Sequence, residues 1–128
     1  MLIKKLARVS KASLEIKERG MLNFWVHVDY EEGCSQGVGG IALDSYDEQL
    51  KHRVGTAYGC EMIRKTLEVF DVNDFSEMKG KTIYVLGYGE GFSFTPCGFE
   101  KINLNKNHKS TDVCNFKDIY NQFVVEDK

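Results

Sequence analysis

Alternation of apolar and polar residues between positions 12 and 30 is typical of half-buried β-strands. In residues 21–30, one face consists of Leu22, Phe24, Val26 and Val28, and the other consists of Asn23, Trp25, His27 and Asp29. Arg19 and Gly20 separate this run from a shorter alternating run at residues 12–16, and they suit a tight turn. The pattern predicts an antiparallel hairpin with two differently used faces.

A helical period replaces the alternation after residue 55. The apolar stripe consists of Gly59, Met62, Ile63, Thr66, Leu67 and Phe70. Recurrence at intervals of three and four predicts an amphipathic helix over residues 55–70, with Thr56 as its N-cap. A short helical turn is expected at residues 74–78, and a closing helix is expected over residues 116–125.

Residues 33–43 continue from the hairpin and favour a third antiparallel strand whose first half is irregular. The segment 82–104 is rich in aromatic and β-branched residues interrupted by glycines, which indicates one or two further strands. The sequence therefore predicts an α+β fold. We expect an antiparallel meander of about four to six strands, with one main helix on one face and short helical segments near the C-terminus.

Composition narrows the class of protein. The 128 residues suit a single domain, and the formal net charge of −2 provides no field for binding a long nucleic acid. The four cysteines lack the spacing of a zinc site, so we expect free thiols, no metal and no cofactor. No apolar run has the length of a signal peptide or a membrane span, and we expect a cytoplasmic protein.

Residues 33–40 contain four of the 12 glycines of the chain. Such a run allows positive φ, a strand bulge, or close approach of the main chain to a ligand or to another strand. The spacing fits neither a dinucleotide-binding fingerprint nor a phosphate-binding P-loop. A bulged strand is the simpler interpretation, and close approach to a ligand at Gly37, Gly39 and Gly40 is the alternative.

Three basic or potentially basic residues, Lys51, His52 and Arg53, precede the predicted helix. A helix N-terminus favours an anion, and an Arg guanidinium binds phosphate with two parallel hydrogen bonds. An exposed charged turn is an equally good interpretation, in which case loss of the Arg53 side chain would hardly affect folding. Asp44 and Asp47 are expected in a solvated turn.

Aromatic residues add a third candidate feature. Phe92 and Phe94 fall in a glycine-rich segment, where they are equally suited to the core and to stacking on a nucleobase. Trp25, on the polar strand face, is better explained by the core or by contact with a second copy of the chain. No arrangement of histidine, cysteine, serine or carboxylate side chains indicates a catalytic site, and we assign no catalytic residue.

The segments "LNFWVHVDY", "GCSQGVGGIALD" and "GTAYGCEMIRKTLEVF", within about residues 14–85, resemble the Thoeris anti-defence protein 1 family of phage proteins. The resemblance implies a non-enzymatic sponge that sequesters cyclic ADP-ribose signals, with some relatives also holding small cyclic oligonucleotides. It also implies a homodimer that assembles further into a hexamer. The matching residues, to which it gives ligand-binding roles, are Gln36, Gly37, Gly39, Gly40, Arg53, Gly55, Thr56 and Gly59.

Two other functions stay open. A phage inhibitor of the anti-CRISPR type would bind a host defence protein directly, through Trp25 and the loop aromatics. An enzyme that cleaves a cyclic nucleotide would depend on a histidine or aspartate. Recovery of an intact ligand would indicate a sponge, recovery of a host protein would indicate an inhibitor, and recovery of a linear product would indicate an enzyme.

Overall fold

The computed structural model describes residues 2–17, 19–102 and 112–124, apart from the side chains of Phe92 and Val124. Eight strands and two α-helices are present in these ranges. The strands are β1 (Ile3–Ile16), β2 (Leu22–Tyr30), β3 (Ser35–Gly39), β4 (Asp44–Asp47), β5 (His52–Gly55), β6 (Thr82–Tyr88), β7 (Thr95–Glu100) and β8 (Val113–Asn115). The helices are α1 (Ala57–Phe70) and α2 (Phe116–Val124).

Six strands form one sheet in the order β3-β2-β1-β6-β7-β8, and every neighbouring pair is antiparallel. The predicted α+β fold is therefore confirmed. The six strands of the sheet are the largest number expected from the sequence. The predicted closing helix corresponds to α2, and the predicted short turn corresponds to a 3-10 helix at Phe75–Met78.

Strand β1 begins nine residues before the alternation that predicted it, and a bulge at Ser10 explains the difference. The pairing with β2 shifts between Val9 and Lys11, so one extra residue lies on β1. Such an insertion reverses the face on which alternate side chains lie. Ala7 and Val9 face the core before the bulge, whereas Ala12 lies on the same side after it. The period is broken in the sequence although the strand is continuous.

Both helices cover one face of the sheet, as predicted for the main helix. Phe24 of β2 is fully buried and forms an edge-to-face contact with Phe116 of α2, at 5.8 Å between ring centroids. Phe70 of α1 makes a similar contact with Phe99 of β7, at 5.0 Å. These rings contribute to a single core between the sheet and the helices.

Helix α1 begins as predicted at Thr56, whose hydroxyl accepts a hydrogen bond from the Gly59 N–H at 3.0 Å. The same hydroxyl donates to the Leu43 carbonyl at 2.7 Å. A Cβ at Gly59 would overlap that carbonyl. Glycine therefore allows the first turn of the helix to pack directly on the segment that leads into β4.

Residues 40–55 differ from the sequence expectation. Strand β3 ends at Gly39 instead of continuing to Leu43, and the expected charged turn contains the hairpin of β4 and β5. Asp44 is only 7% exposed, so its assignment to a solvated turn is wrong. The two strands have four residues each and few apolar side chains, which leaves too short a pattern for detection. No helix in the described part of the chain is long and apolar enough to cross a membrane.

Candidate functional site

The sheet face opposite the helices carries a broad open groove of about 910 Å³, which we call the outer-face groove. This volume is in the usual range for small-molecule sites. Its walls come from β1, β2 and β3, and from the turn between β1 and β2. The lining residues are Lys11, Ser13, Glu15, Lys17, Met21, Asn23, Trp25, His27, Gly37 and Gly40.

Trp25 explains two of the glycines in the run. A Cβ at Gly37 would lie 3.0 Å from Cε3 of the Trp25 indole, and one at Gly40 would overlap the same ring. Between them, Gly39 has φ +121°, and a Cβ there would lie 2.5 Å from the Phe24 carbonyl oxygen. Glycine is required because the backbone turns through positive φ and because the indole packs against the main chain.

The indole of Trp25 and the imidazole of His27 are stacked, with 6.1 Å between ring centroids and 20° between ring planes. The two residues lie two apart on β2 and therefore project from the same face. Both aromatic rings line the groove. Such a surface can stack a nucleobase.

Asn23 lines this groove and carries a buried hydrogen-bond acceptor. The residue is only 2% exposed, and its Oδ1 atom has no hydrogen-bond partner among the residues that the structure describes. Buried polar atoms are nearly always paired, because an unpaired one loses its hydration without compensation. Oδ1 of Asn23 therefore has unused capacity to accept a hydrogen bond from an N–H or O–H group of a ligand, once the ligand displaces the side chains that cover it.

The net charge of the groove lining is positive, because two lysines and one glutamate line it. Lys17 Nζ lies 2.6 Å from Glu15 Oε1, and this hydrogen bond lowers the pKa of the Glu15 carboxyl. Lys11 forms no ion pair within the part of the chain that the structure describes. Its ammonium is therefore available to an anionic group such as a phosphate.

Gln36 and Phe94 are brought together in a different place, on the helix side of the sheet. The Gln36 amide donates to the Phe94 carbonyl at 3.1 Å and accepts from the Tyr30 hydroxyl at 2.6 Å. Burial, with a smaller contribution from Glu32, raises the pKa of Tyr30 to about 12.

Phe94 is only 4% exposed and belongs to the core. The ammonium of Lys5 lies 4.7 Å from the centre of its ring. The adjoining cleft has a volume of about 160 Å³, which is small for a nucleotide. The side chain of Phe92 lies outside the described part of the structure.

Arg53 forms an ion pair instead of standing free at a helix start. Its Nη2 atom lies 2.8 Å from Asp44 Oδ1 and donates to the Asp44 carbonyl at 3.1 Å. The other carboxylate oxygen of Asp44 accepts from the Leu22 N–H at 3.1 Å. The hydrogen bond to Arg53 is the main reason that the pKa of Asp44 lies below its ordinary value. The ion pair joins β4 to β5, and the hydrogen bond from the Leu22 N–H ties this hairpin to the start of β2.

The remaining candidates lie near this ion pair and do not line the outer-face groove. Gly55 adjoins open space, whereas Thr56 and Gly59 are engaged with the Leu43 carbonyl. The structure therefore brings Gly37 and Gly40 together with Trp25 and does not bring Arg53 or the α1 start into that groove. Sequence reasoning missed Lys11, Ser13, Lys17 and Asn23 as site residues. Alternation along β2 places Asn23 on the same face as Trp25, and this pattern was the sequence feature that could have identified Asn23 as a site residue.

No group of three or more His, Cys, Asp and Glu side chains suited to a metal ion occurs among the residues that the structure describes. The cysteines are free, with Cys114 buried and Cys34 exposed. Comparisons with family models, with curated proteins and with solved structures find no match to this chain.

Proposed function

We propose that this protein binds a phosphate-bearing cyclic nucleotide in the outer-face groove and sequesters it without cleavage. The observation that carries the proposal is the unpartnered Oδ1 of the buried Asn23 beside the stacked rings of Trp25 and His27. The aromatic rings suit the face of a nucleotide base, the Asn23 acceptor suits a donor on the edge of that base, and the Lys11 ammonium suits a phosphate.

Each of these groups contributes a recognisable part of the affinity. Stacking of one base on an aromatic side chain is worth about 1 to 3 kcal/mol. A hydrogen bond between the Lys11 ammonium and a phosphate oxygen contributes about 1.5 to 3 kcal/mol. The cyclic ligand is rigid and loses little conformational entropy on binding, which favours tight retention.

The family resemblance suggests which nucleotide this is. Its motifs include the glycines that support Trp25, and the family captures cyclic ADP-ribose signals. We propose that the ligand is a cyclic ADP-ribose isomer and that the protein is a phage anti-defence protein acting in the cytoplasm of the infected cell. Arg53 would then act on the shape of the groove only indirectly, through the β4–β5 hairpin.

The test is recovery of the ligand. Purified protein is incubated with each cyclic ADP-ribose isomer, passed through a desalting column and heated, and the released molecule is identified by mass spectrometry. We expect the intact cyclic nucleotide from the wild type and little from Trp25→Leu. Tyr88→Leu is a matched control, because Tyr88 is an exposed aromatic residue outside the groove.

Three outcomes would contradict the proposal. Linear product would mean that the protein is an enzyme. Failure to retain any isomer would show that the protein does not bind cyclic ADP-ribose. Equal retention by the wild type and Trp25→Leu would place binding elsewhere on the molecule.

A further inference from the structure

Strand β1 is longer than the strand that pairs with it on the side away from β2. Strand β6 pairs with Ile3–Arg8, and Val9 exchanges hydrogen bonds with Lys81 and Gly80. Beyond that point, only β2 pairs with β1 within the described ranges. The last part of β1, residues 12–16, therefore has one free side, and we call it the open edge.

A hydrogen bond on the far side of β2 shows how the main chain of the open edge is directed. The Phe24 carbonyl accepts from the Gly40 N–H at 2.7 Å, so Phe24 directs its main-chain groups away from β1. Leu14 lies directly opposite Phe24. Opposed residues of an antiparallel pair either exchange both hydrogen bonds or direct their groups away from each other. Leu14 therefore directs its N–H and C=O away from β2, towards the free side.

Ile16 is directed outward for the same reason. It lies opposite Leu22, whose carbonyl accepts from the Leu43 N–H at 2.8 Å. Alternation along the strand gives Ala12 the same direction as Leu14. Within the part of the chain that the structure describes, the outward N–H and C=O groups of the open edge have no main-chain partner. Such a row of donors and acceptors is a template for another strand.

An apolar groove accompanies the open edge on the helix side of the sheet. Leu14 is 42% exposed and Ile16 is 69% exposed, although both are large and apolar. A volume of about 450 Å³, which we call the edge groove, lies beside them. Ile63 and Leu67 of α1, together with Phe75, line it opposite β1. The groove can therefore receive apolar side chains from an added strand.

We propose that the open edge binds an extended segment of a partner protein, which pairs with β1 as a short antiparallel strand and places apolar side chains in the edge groove. An extended main chain is required, because only this conformation presents donors and acceptors at the spacing of the open edge. The segment pairs over about five residues, since Gly80 and Lys81 bound the edge at one end and the β1–β2 turn bounds it at the other.

The two faces of the sheet determine the side-chain pattern of this segment. Residues directly opposite Ala12, Leu14 and Ile16 project to the helix side and should be apolar, because paired residues share a face. The small side chain of Ala12 leaves room for a large one opposite it. Residues opposite Ser13 and Glu15 project to the outer side and should be polar. The partner segment therefore alternates apolar and polar residues.

A second copy of β1 fits the open edge poorly. Strand β1 has 14 residues, and a twofold axis within the open edge brings its C-terminal end or the β1–β2 turn up to Val9. Gly80 and Lys81 already occupy that position. A short segment that ends before Val9 avoids this overlap. The proposal does not depend on nucleotide binding, because the edge groove and the outer-face groove lie on opposite sides of the sheet.

Short synthetic peptides test the site. The probes are fluorescein-labelled peptides that alternate threonine with valine, isoleucine, leucine or phenylalanine, and fluorescence anisotropy measures their affinities. We expect saturable binding at micromolar concentration for at least one of them. Methylation of the amide nitrogens of its apolar residues, which face β1, should weaken binding about tenfold or more. Methylation of the threonine amides, which face away from β1, is the matched control and should have a much smaller effect.

Two variants of the protein test the position of the peptide. Leu14→Pro removes an outward main-chain donor without removing a hydrogen bond to β2, and Ile16→Lys places a charge beside the edge groove. Each should weaken peptide binding about tenfold or more. Leu50→Lys, at an exposed position in the β4–β5 loop, is the control and should leave the affinity unchanged. Urea unfolding checks that each variant is folded.

Amide hydrogen exchange, followed residue by residue by nuclear magnetic resonance, is an independent measurement. The Leu14 and Ile16 amides should exchange rapidly in the free protein and slowly with the peptide, whereas the Ser13 and Glu15 amides should be protected in both states. The proposal would be overturned if no peptide bound, or if both methylated peptides bound equally well. Protection of Leu14 and Ile16 without peptide, in a protein that sediments as a dimer, would mean that a second copy covers the edge instead.

Discussion

Gly40 lies directly against the Trp25 indole, so that any side chain at residue 40 would overlap the ring. Gly40 has φ +73°, and the preceding Gly39 also has positive φ. The two glycines thus shape the main chain so that a large aromatic ring can lie on the sheet. Close approach is achieved here between a backbone and a side chain of the same protein, and the ring becomes one wall of the outer-face groove.

Replacement of Gly39 by alanine should lower the free energy of unfolding by more than about 1 kcal/mol, because positive φ and the nearby Phe24 carbonyl both oppose a Cβ. Gly55→Ala is the matched control. Gly55 has open space around its Cα and no positive φ, so the change should stay within about 0.5 kcal/mol. Urea unfolding of both variants measures the difference, and equal stabilities would contradict the strain argument.

Asp44→Ala should destabilise the protein by about 1.5 to 3 kcal/mol, because it removes a charged partner from Arg53 and an acceptor from the Leu22 N–H. Arg53→Ala should also lower the unfolding midpoint, since it leaves the buried Asp44 carboxylate without its cation. This differs from the nearly neutral effect that the sequence suggested for Arg53. Glu48→Ala, at an exposed position of the same hairpin loop, is the control for urea unfolding. A neutral Asp44→Ala would contradict the structural role of the pair.

The stabilisation from Asp44 should also depend on pH. Its folded-state pKa lies below the ordinary value of 3.8, so the unfolded chain takes up the proton first as the pH falls. The stabilisation is therefore fully present well above pH 3.8 and is lost as the pH falls through the lower folded pKa.

We expect the difference in unfolding free energy between the wild type and Asp44→Asn to stay constant from pH 7 to about pH 5 and to shrink below about pH 4. Urea unfolding at each pH measures this difference. A difference that grows on acidification would contradict the direction of the pKa shift.

Lys11→Gln should weaken nucleotide binding about tenfold or more, because it removes a charge-assisted hydrogen bond to phosphate while keeping a polar side chain. The salt dependence of the dissociation constant should decrease at the same time, since one charge contact fewer is screened. Calorimetric titrations at two salt concentrations measure both effects. Lys117→Gln should change neither, and the mass of each variant in solution is checked in parallel. If Lys11→Gln bound the nucleotide as tightly as the wild type, Lys11 would not contact the ligand.

Much of the fold was predictable because its long elements have clear periods. Strand β2 keeps its alternation over nine residues, and α1 keeps its apolar stripe over 14 residues with a capping threonine. The first half of β1 escaped detection because the bulge at Ser10 reverses the alternation. The β4–β5 hairpin escaped detection because it is held mainly by a single ion pair and by main-chain contacts, which leave no periodic signal.

The candidate site was only partly predictable for a related reason. The glycine run indicated close approach of the main chain, but the sequence does not show that Trp25 is what approaches Gly37 and Gly40. The sequence predicted only an ordinary polar strand residue at Asn23. An unpaired buried atom can be identified only once the positions of its neighbours are known. Arg53 appeared free for an anion because its partner, Asp44, lies in a hairpin that was not recognised.

A nucleotide base bound in the outer-face groove would stack near Trp25, which is the single tryptophan of the chain. Its fluorescence therefore reports on this site alone. We predict that titration of the wild-type protein with a cyclic ADP-ribose isomer produces saturable quenching of the Trp25 emission. Emission that stays unchanged while calorimetry on the same sample detects binding would show that the nucleotide lies elsewhere, and would contradict this account.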